Sequence, residues 1–387
     1  MFLPEVLEIE GKMIAWRRHL HKKPELSFQE RQTTDYILEQ LGDVPGLELT
    51  TPTKTGVVAT LKGAQPGRVI ALRADIDALP IQEETDLLFA SETDGVMHAC
   101  GHDGHTAMQM AAAVLLSQKR EQLHGEVRFL FQHAEELPPG GAEEMVKAGV
   151  IRGVSEIYGM HLSSSFPTGT FGVRSGALTS ATDRFDIKII GKGGHSAFPE
   201  TCIDPVVTAA QTILALQTVV ARKIKAIEPA VISVCMLQAG QAYNIIPGEV
   251  SLTGSTRTFD RKTREELPSM LEQIVKGICE SAGAMYEFQF TRGYASVTND
   301  QALTDNGRQL IQRTFGKPAV LEIAPLMPGE DFSAFLDFCP GFFVELGARN
   351  EKEGCIVPHH NSKYLMDEAA LRYGAEYLYE LVQDRLS

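Results

Sequence analysis

The apolar positions of the first part of the chain recur with a helical spacing and predict two helices. The second of these helices is predicted over 27–41. In the first helix the residues that share an apolar face are Val6, Ile9, Met13, Trp16 and Leu20. A helical pair therefore precedes the first predicted strand, which begins near residue 57.

Short apolar runs alternate with helical segments over the next hundred residues. The helices are predicted at 103–119 and 141–149. The strands are predicted at VVATLKG (57–63), VIALRADI (69–76), VRFLFQHAEE (127–136) and EIYGMHL (156–162). This alternation predicts an α/β sheet with crossover helices. Polar residues stand where these strands are predicted to end, at the edge where open α/β sheets bind ligands.

The pattern changes near residue 180. Strands are predicted at 184–191, 231–240, 249–259 and 284–290, with helices at 203–221 and 262–283. The order βαββαβ is that of the split ferredoxin-like unit. We therefore predict an inserted domain at 181–291, with 1–180 and 292–387 forming the other domain.

Composition narrows the functional classes. A chain of 387 residues is long enough for two domains, and its formal net charge of −14 disfavours nucleic acid as a partner. No apolar stretch approaches the ~20 residues that a membrane span needs. The six cysteines are far apart and form no CxxC pair, and the start of the chain lacks the basic flank of a signal peptide. These features predict a cytoplasmic protein with reduced thiols.

Four places combine metal-ligand side chains with predicted strand ends or loops. They are Cys100 and His102 in VMHACGHDGHT, the pair Glu135 and Glu136, His161, and the histidines of PHHN (358–361). A thiolate, imidazoles and a carboxylate suit zinc or a neighbouring first-row ion. Because one catalytic ion takes about three protein ligands, these groups suggest two ions. Each of these side chains, taken alone, more often has a structural role. The metal site is predicted because all of them are expected at one edge of the sheet.

The two adjacent glutamates suggest a division of roles. Neighbouring residues on a strand end point to opposite faces. One of Glu135 and Glu136 can then bind a metal ion while the other acts as general base on a bound water.

The inserted segment carries a second set of polar candidates. GKGGHSAFPE (191–200) does not match the dinucleotide-binding glycine pattern, but its glycines suit a loop that brings His195 close to a ligand. Asn244 and Arg257 are donors able to hold a carboxylate. Each of these residues, taken alone, is more often an ordinary surface residue.

Ten segments occur in an order that resembles a known family. The family is the amidohydrolase branch of the di-metal aminoacylase/carboxypeptidase-type metallopeptidases, which includes hippurate hydrolases, auxin-conjugate hydrolases and N-acyl-amino-acid amidohydrolases. The resemblance covers residues 15–385 and rests on RRHLHKKPELSFQE, RADIDALPIQE, MHACGHDGHT, FQHAEE, GMH, GKGGHSAFP, NIIPGEV, GSTRTF, GEDF and HHNSKY.

The resemblance implies a fold and a set of roles. The fold is a mixed-sheet, di-metal exopeptidase-like catalytic domain interrupted by a ferredoxin-like lid or dimerisation domain. The implied ligands of two divalent ions (Zn, Mn, Co or Ni) are Cys100, His102, Glu136, His161 and His360. Glu135 is the implied general base, and His195, often reaching a partner's site, stabilises the oxyanion. Asn244 and Arg257 are implied contacts of the substrate carboxylate.

The resemblance also implies a homodimer or tetramer. The chain departs from the family pattern at His133 and Ser362, where the family usually has proline. Neither departure removes a proposed catalytic group.

Four functions remain open at this point. The first is hydrolysis of the amide bond of N-acyl-amino acids or similar small conjugates, and the second is dipeptidase or carboxypeptidase activity with the same site. The third is a thiol hydrolase with Cys100 as nucleophile, in which Glu136, His161 and His360 have no role. The fourth is a non-catalytic metal-binding protein, against which an intact Glu135 argues.

Overall fold

The computed structural model describes residues 2–387. The helices are α1 (Pro4–Lys22), α2 (Arg31–Leu41), α3 (His102–Ser117), α4 (Gly141–Lys147), α5 (Pro205–Arg222), α6 (Arg261–Ala282), α7 (Gln301–Phe315) and α8 (Ala370–Leu386). The strands are β1 (Leu47–Thr50), β2 (Val57–Lys62), β3 (Gln65–Asp75), β4 (His124–Gln132), β5 (Glu156–Pro167), β6 (Phe171–Val173), β7 (Gly176–Ala177), β8 (Ala181–Ile190), β9 (Gly194–His195), β10 (Ala230–Ala239), β11 (Ile245–Ile246), β12 (Glu249–Thr258), β13 (Met285–Arg292), β14 (Thr298–Asn299), β15 (Val320–Glu322) and β16 (Gly341–Arg349).

The chain forms two compact units. The first contains the residues up to Leu178, then Val297–Pro325 and Asp331–Ser387. The second contains Thr179–Ser296 and Leu326–Glu330. Within residues 2–387, no helix combines the length and apolar character needed to cross a bilayer.

The first unit is built on an eight-stranded sheet in the order β1-β2-β4-β3-β5-β16-β6-β15. The neighbours β4, β3, β5 and β16 run parallel, whereas β1, β2 and β6 make antiparallel pairs. The mixed α/β sheet predicted from the sequence is confirmed. Parallel central strands need crossover connections, and α3 supplies the one that follows β3.

Helix α3 is the structural centre of the first unit. Almost all of its residues are buried, as expected for a helix that is apolar on all sides. Gly101 starts it in a left-handed conformation with a φ of +91°, which suits glycine. A Cβ on Gly104 would lie 2.6 Å from Leu162 Cδ1, so this glycine lets the helix start approach β5 closely.

A buried ion pair joins α1 to the start of α3. Arg17 Nε lies 2.8 Å from Asp103 Oδ2, and both side chains are at most 2% exposed. His21 Nδ1 lies 2.8 Å from the same carboxylate oxygen. Burial raises the pKa of Asp103, but Arg17 and His21 outweigh it and hold the pKa well below its usual value. The carboxylate is therefore charged in the folded protein and depends on these partners.

We expect Arg17→Met to lower the free energy of unfolding by about 3–5 kcal/mol, because it leaves a buried carboxylate without its cation. The neighbouring Arg18 gives a matched control. Its side chain is 47% exposed and lies 2.6 Å from Glu368, so Arg18→Met is expected to cost about 1 kcal/mol or less. Urea unfolding followed by the fluorescence of Trp16, the single tryptophan, reports on this unit. Equal losses in the two variants would contradict the account.

The second unit contains a four-stranded antiparallel sheet in the order β10-β12-β8-β13. With α5 and α6 in their chain positions, this is the βαββαβ order predicted from the sequence. The alternating burial of β8 and β12 places one face of the sheet on a core formed with both helices. Asp204 and Asp260 cap the two helices by accepting from backbone N–H groups of the first turn.

Several predicted element boundaries are wrong, and two of them have a clear local cause. The strand predicted at 127–136 ends at Gln132, because Ala134 adopts a φ of +50° that no strand allows. The helix predicted from residue 27 begins at Arg31, because Phe28 has a φ of +66° and donates its N–H to Glu30. Both boundaries depend on local backbone conformations and side-chain contacts, which the spacing of apolar residues does not reveal.

Candidate metal-binding active site

Five side chains of metal-ligand type meet in the first unit. They come from the start of α3, the turn after β4, the middle of β5 and the loop after β16, and they are Cys100, His102, Glu136, His161 and His360. Within each of the groups Cys100–His102–His161, Cys100–Glu136–His360 and His102–Glu135–Glu136, the candidate ligand atoms lie within 4.8 Å of one another. The structure thus brings together the residues that the sequence indicated for metal binding.

The individual distances show how the groups overlap. Cys100 Sγ lies 3.4 Å from His161 Nε2. Glu136 Oε1 lies 3.9 Å from His102 Nε2 and 3.2 Å from His360 Nε2. Cys100, His102 and Glu136 each belong to two of the groups, so the three groups form one continuous cluster.

Two positions within the site differ from the prediction. Glu135 and Glu136 lie in the turn beyond β4, so the alternation of a strand does not separate them. His161 lies inside β5 and not at its end, because β16 continues to pair with β5 past the register partners His161 and Glu345.

Neighbouring groups hold two imidazoles in a metal-binding orientation. His102 Nδ1 lies 3.0 Å from the Asp77 carbonyl oxygen and 3.2 Å from Asp77 Oδ1. This contact fixes the ring and leaves His102 Nε2 buried with no hydrogen-bond partner among the described residues. In the same way, His161 Nδ1 donates to the Leu162 carbonyl oxygen at 2.6 Å, so that Nε2 points to Cys100. Metal-binding histidines commonly use one ring nitrogen in this way.

A second buried atom also has no hydrogen-bond partner. Glu136 Oε1 is buried, and its one close polar neighbour named above is His360 Nε2 at 3.2 Å, an ion-pair contact without hydrogen-bond geometry. Such an atom beside the unpaired His102 Nε2 is costly without a further group between them. The residues present therefore fit divalent cations.

The site carries an excess of negative charge. Burial lowers the pKa of His102, but the carboxylates of Asp75, Asp77 and Glu136 outweigh it and raise the pKa to about 10. Burial together with Glu136, Glu135 and Asp75 raises the pKa of the Cys100 thiol well above its usual value. Without a cation the thiol is therefore neutral, which argues against a free cysteine nucleophile.

Several supporting residues received no role from the sequence. Asp75 and Asp77 stand at the end of the strand predicted at 69–76, and the apolar pattern does not predict their contacts with His105 and His102. Asp75 interacts with His105 Nδ1, and His105 Nε2 accepts the Leu162 N–H at 2.8 Å, so His105 supports β5. The sequence signal for such an orienting residue is an acidic side chain at the end of a buried strand.

The histidine pair after β16 divides into two roles. His360 Nε2 reaches Glu136, and the residue adopts a left-handed φ of +60°, a strained conformation of the kind found at functional sites. His359 is half-buried, with its ring centroid 5.3 Å from His161 and 4.8 Å from Tyr364. Burial lowers the pKa of His359 to about 3, so it packs as a neutral ring.

The candidates of the second unit are not all close to one another. His195 pairs with Ile245, and Ser196 donates its N–H to the Asn244 carbonyl oxygen at 3.2 Å, so His195 and Asn244 are neighbours. His195 comes after the end of β8, and Asn244 comes before the start of β12, at the end of the sheet where Glu249 pairs with Ile190. Arg257 pairs with Thr182 at the other end of the sheet. The rise of about 3.4 Å per residue separates Val250 from Arg257 by about 24 Å along β12. The register thus places the start of β12, which follows Asn244 along the chain, far from Arg257.

Comparison with known proteins gives the family. The model of peptidase family M20/M25/M40 matches residues 71–384. The chain belongs to this family. It is an enzyme of the amidohydrolase type, and the resemblance proposed from the sequence is confirmed.

Named relatives of this M20-family chain fall into two activity classes. An N-acyl-L-amino acid amidohydrolase of Geobacillus stearothermophilus is 52% identical over 81% of this chain and 86% of the relative. Thermostable carboxypeptidase 1 of Saccharolobus solfataricus is 40% identical over 96% of this chain and 94% of the relative.

A solved structure supports the fold over the whole chain. A dinuclear metal-binding M20 peptidase of Bacillus subtilis is 39% identical, with a TM-score of 0.87 over 98% of both chains.

Proposed function

We propose that this enzyme hydrolyses the amide bond of N-acyl-amino acids or similar small conjugates with a metal-activated water and Glu135 as general base. One observation carries the proposal: the buried cluster in which Glu135 and Glu136 lie beside His102. The amidohydrolase relative, 52% identical, supports the same reaction class.

Two divalent ions complete the proposed site. Their ligands are Cys100, His102, Glu136, His161 and His360, and the dinuclear relative supports the number of ions. When bound, such ions lower the pKa of a water molecule and polarise the substrate carbonyl. Zn, Mn, Co and Ni all suit this mixed set of sulfur, nitrogen and oxygen ligands.

Glu135 moves the proton in this proposal. Its side chain is only 8% exposed, and its carboxylate belongs to the same group as Glu136 and His102. It takes a proton from the attacking water and delivers it to the leaving amine nitrogen, which a carboxylate beside the reacting atoms can do in two steps. Asp77 keeps the ring of His102 in place during both steps.

We further propose a homodimer in which two chains supply the substrate contacts. His195 stabilises the oxyanion, and Asn244 and Arg257 contact the substrate carboxylate. Because Asn244 precedes the start of β12 and Arg257 lies near its other end, we infer that a single carboxylate meets both only if they come from different protomers.

An exposed sheet edge supports the dimer. Strand β10 lies at the edge of the second unit's sheet, and its Met236 and Leu237 side chains are 51% and 52% exposed. On α5, Val207 and Leu214 are 54% and 73% exposed. A long apolar edge strand is usually protected by pairing. A second copy of the chain is the proposed partner.

We expect Arg257→Ala to raise KM for an N-acyl-amino acid at least about 10-fold, since a charge-assisted hydrogen bond contributes about 1.5–3 kcal/mol. KM for the corresponding amino-acid amide, which lacks the carboxylate, is expected to change little. Steady-state kinetics on the matched pair of substrates measures this. Arg184→Ala is the control, because Arg184 is an exposed arginine of the adjacent strand that binds Asp186. An equal rise in KM for both substrates would exclude the role of Arg257.

Carboxypeptidase or dipeptidase activity is the second candidate, favoured by the carboxypeptidase relative. The same cluster serves both reactions. Comparing kcat/KM for an N-acyl-amino acid and for a dipeptide with the same C-terminal residue separates the two activities.

The cytoplasmic location of the protein stays a prediction.

A further inference from the structure

A second buried carboxylate, distant in sequence from the cluster, contacts the turn that carries Glu135. Glu30 is fully buried at the end of the segment SFQE. Its Oε1 accepts from the Ala134 N–H at 2.8 Å and from the Phe28 N–H at 2.9 Å, and its Oε2 accepts from Thr55 Oγ at 2.9 Å. All three donors are neutral, so the carboxylate is buried at a cost that hydrogen bonds alone offset.

The bond to Ala134 fixes an unusual backbone conformation. Ala134 has a φ of +50°, a region that side chains other than glycine rarely adopt. Its carbonyl oxygen accepts the Gly141 N–H at 2.9 Å, so both backbone polar groups of Ala134 are held. This conformation turns the chain away from β4 immediately before Glu135.

The other side of Glu135 is held from the same segment. The Glu136 N–H donates to Asp77 Oδ2 at 3.0 Å, and Ser27 Oγ donates to that oxygen at 2.7 Å. Buried acceptors therefore fix the N–H groups on both sides of Glu135. Glu30 supplies one of them without contacting a proposed metal ligand.

We propose that Glu30 is a positioning residue for Glu135, acting through the Ala134 peptide to hold the turn in its left-handed conformation. The inference rests on the proposed function for the role of Glu135. Burial raises the pKa of Glu30 to about 7, so this buried acid is costly to keep charged near neutral pH. Its hydrogen bond to the Ala134 N–H joins it to the turn that carries Glu135.

The substitution Glu30→Met tests the proposal. Methionine has nearly the size of glutamate but no oxygen acceptor, so the Ala134 N–H loses its hydrogen-bond partner, whereas a glutamine oxygen would still accept from it. We expect kcat to fall about 10- to 100-fold, the effect typical of lost outer support, with KM and metal content unchanged. In the metal-free protein, the peptide covering 132–137 is expected to exchange its amide hydrogens faster than in the wild type.

Glu25→Met is the matched control. Glu25 Oε2 accepts from the Thr33 N–H at 2.8 Å and from Thr33 Oγ at 3.0 Å, on the same part of the chain but away from the turn. Both kcat and exchange at 132–137 are expected to stay at wild-type values. A rescue variant sharpens the test: adding Ala134→Gly to Glu30→Met should recover part of kcat, because glycine adopts a positive φ without strain.

Some results would overturn the proposal. They are a wild-type kcat in Glu30→Met, equal effects in Glu25→Met, or unchanged exchange at the turn. If Glu30→Met does not fold, exchange in the metal-free wild type decides, because unprotected amides at 132–137 would exclude a held turn. If the wild type hydrolyses no N-acyl-amino acid, the proposed function fails, while the exchange comparison still decides whether Glu30 holds the turn.

Discussion

Glu135→Gln is expected to lower kcat by roughly 10²- to 10⁴-fold, the range that general acid–base catalysis contributes. The amide has nearly the same size as the carboxylate, so the fold and the neighbouring ligand Glu136 are retained. What is lost is the group that accepts the water proton and then protonates the leaving amine. The metal content per chain is therefore expected to match that of the wild type.

The control for this variant is Glu143→Gln. Glu143 lies on α4, is half exposed and pairs with Lys147, so its replacement is expected to leave kcat unchanged. Kinetics and elemental analysis of the same preparations make the comparison. Near-normal turnover by Glu135→Gln would refute the assignment of the base. Loss of metal together with activity would instead make Glu135 a ligand.

Much of the fold was predictable because the spacing of apolar residues matches the helices and strands of the structure. The buried runs at 57–63 and 69–76 correspond to β2 and β3, and the apolar body of 103–119 corresponds to α3. The cluster itself was predictable because its ligands stand in short, distinctive segments. Cys100 and His102 are fixed by the start of α3, a local feature that the sequence shows directly.

The remaining features depend on contacts between distant segments. The turn at Ala134 follows from the hydrogen bond to Glu30, 104 residues away, and no apolar pattern encodes it. The position of His161 inside β5 depends on pairing with β16. The separation of Asn244 from Arg257 depends on strand register, which the order of segments along the chain does not reveal.

Removal of divalent metal is expected to abolish activity reversibly. Without cations, the carboxylates raise the pKa of His102 to about 10, and burial with these carboxylates raises the pKa of Cys100 well above its usual value. Both side chains then carry protons that metal binding must displace, so the apparent metal affinity is expected to rise with pH. The chelated protein should stay folded, with an unchanged fluorescence spectrum of Trp16, because Arg17 and the buried core do not depend on the ions.

The decisive measurement is the hydrolysis of an N-acyl-amino acid by enzyme chelated to less than about 0.1 metal ion per chain, followed as Mn²⁺, Co²⁺ or Zn²⁺ is added back. The chelated enzyme is expected to be inactive, and activity is expected to return as up to two ions bind per chain, in line with a site that uses divalent metal to activate water. Full activity of the chelated enzyme, with no response to added metal, would contradict the account.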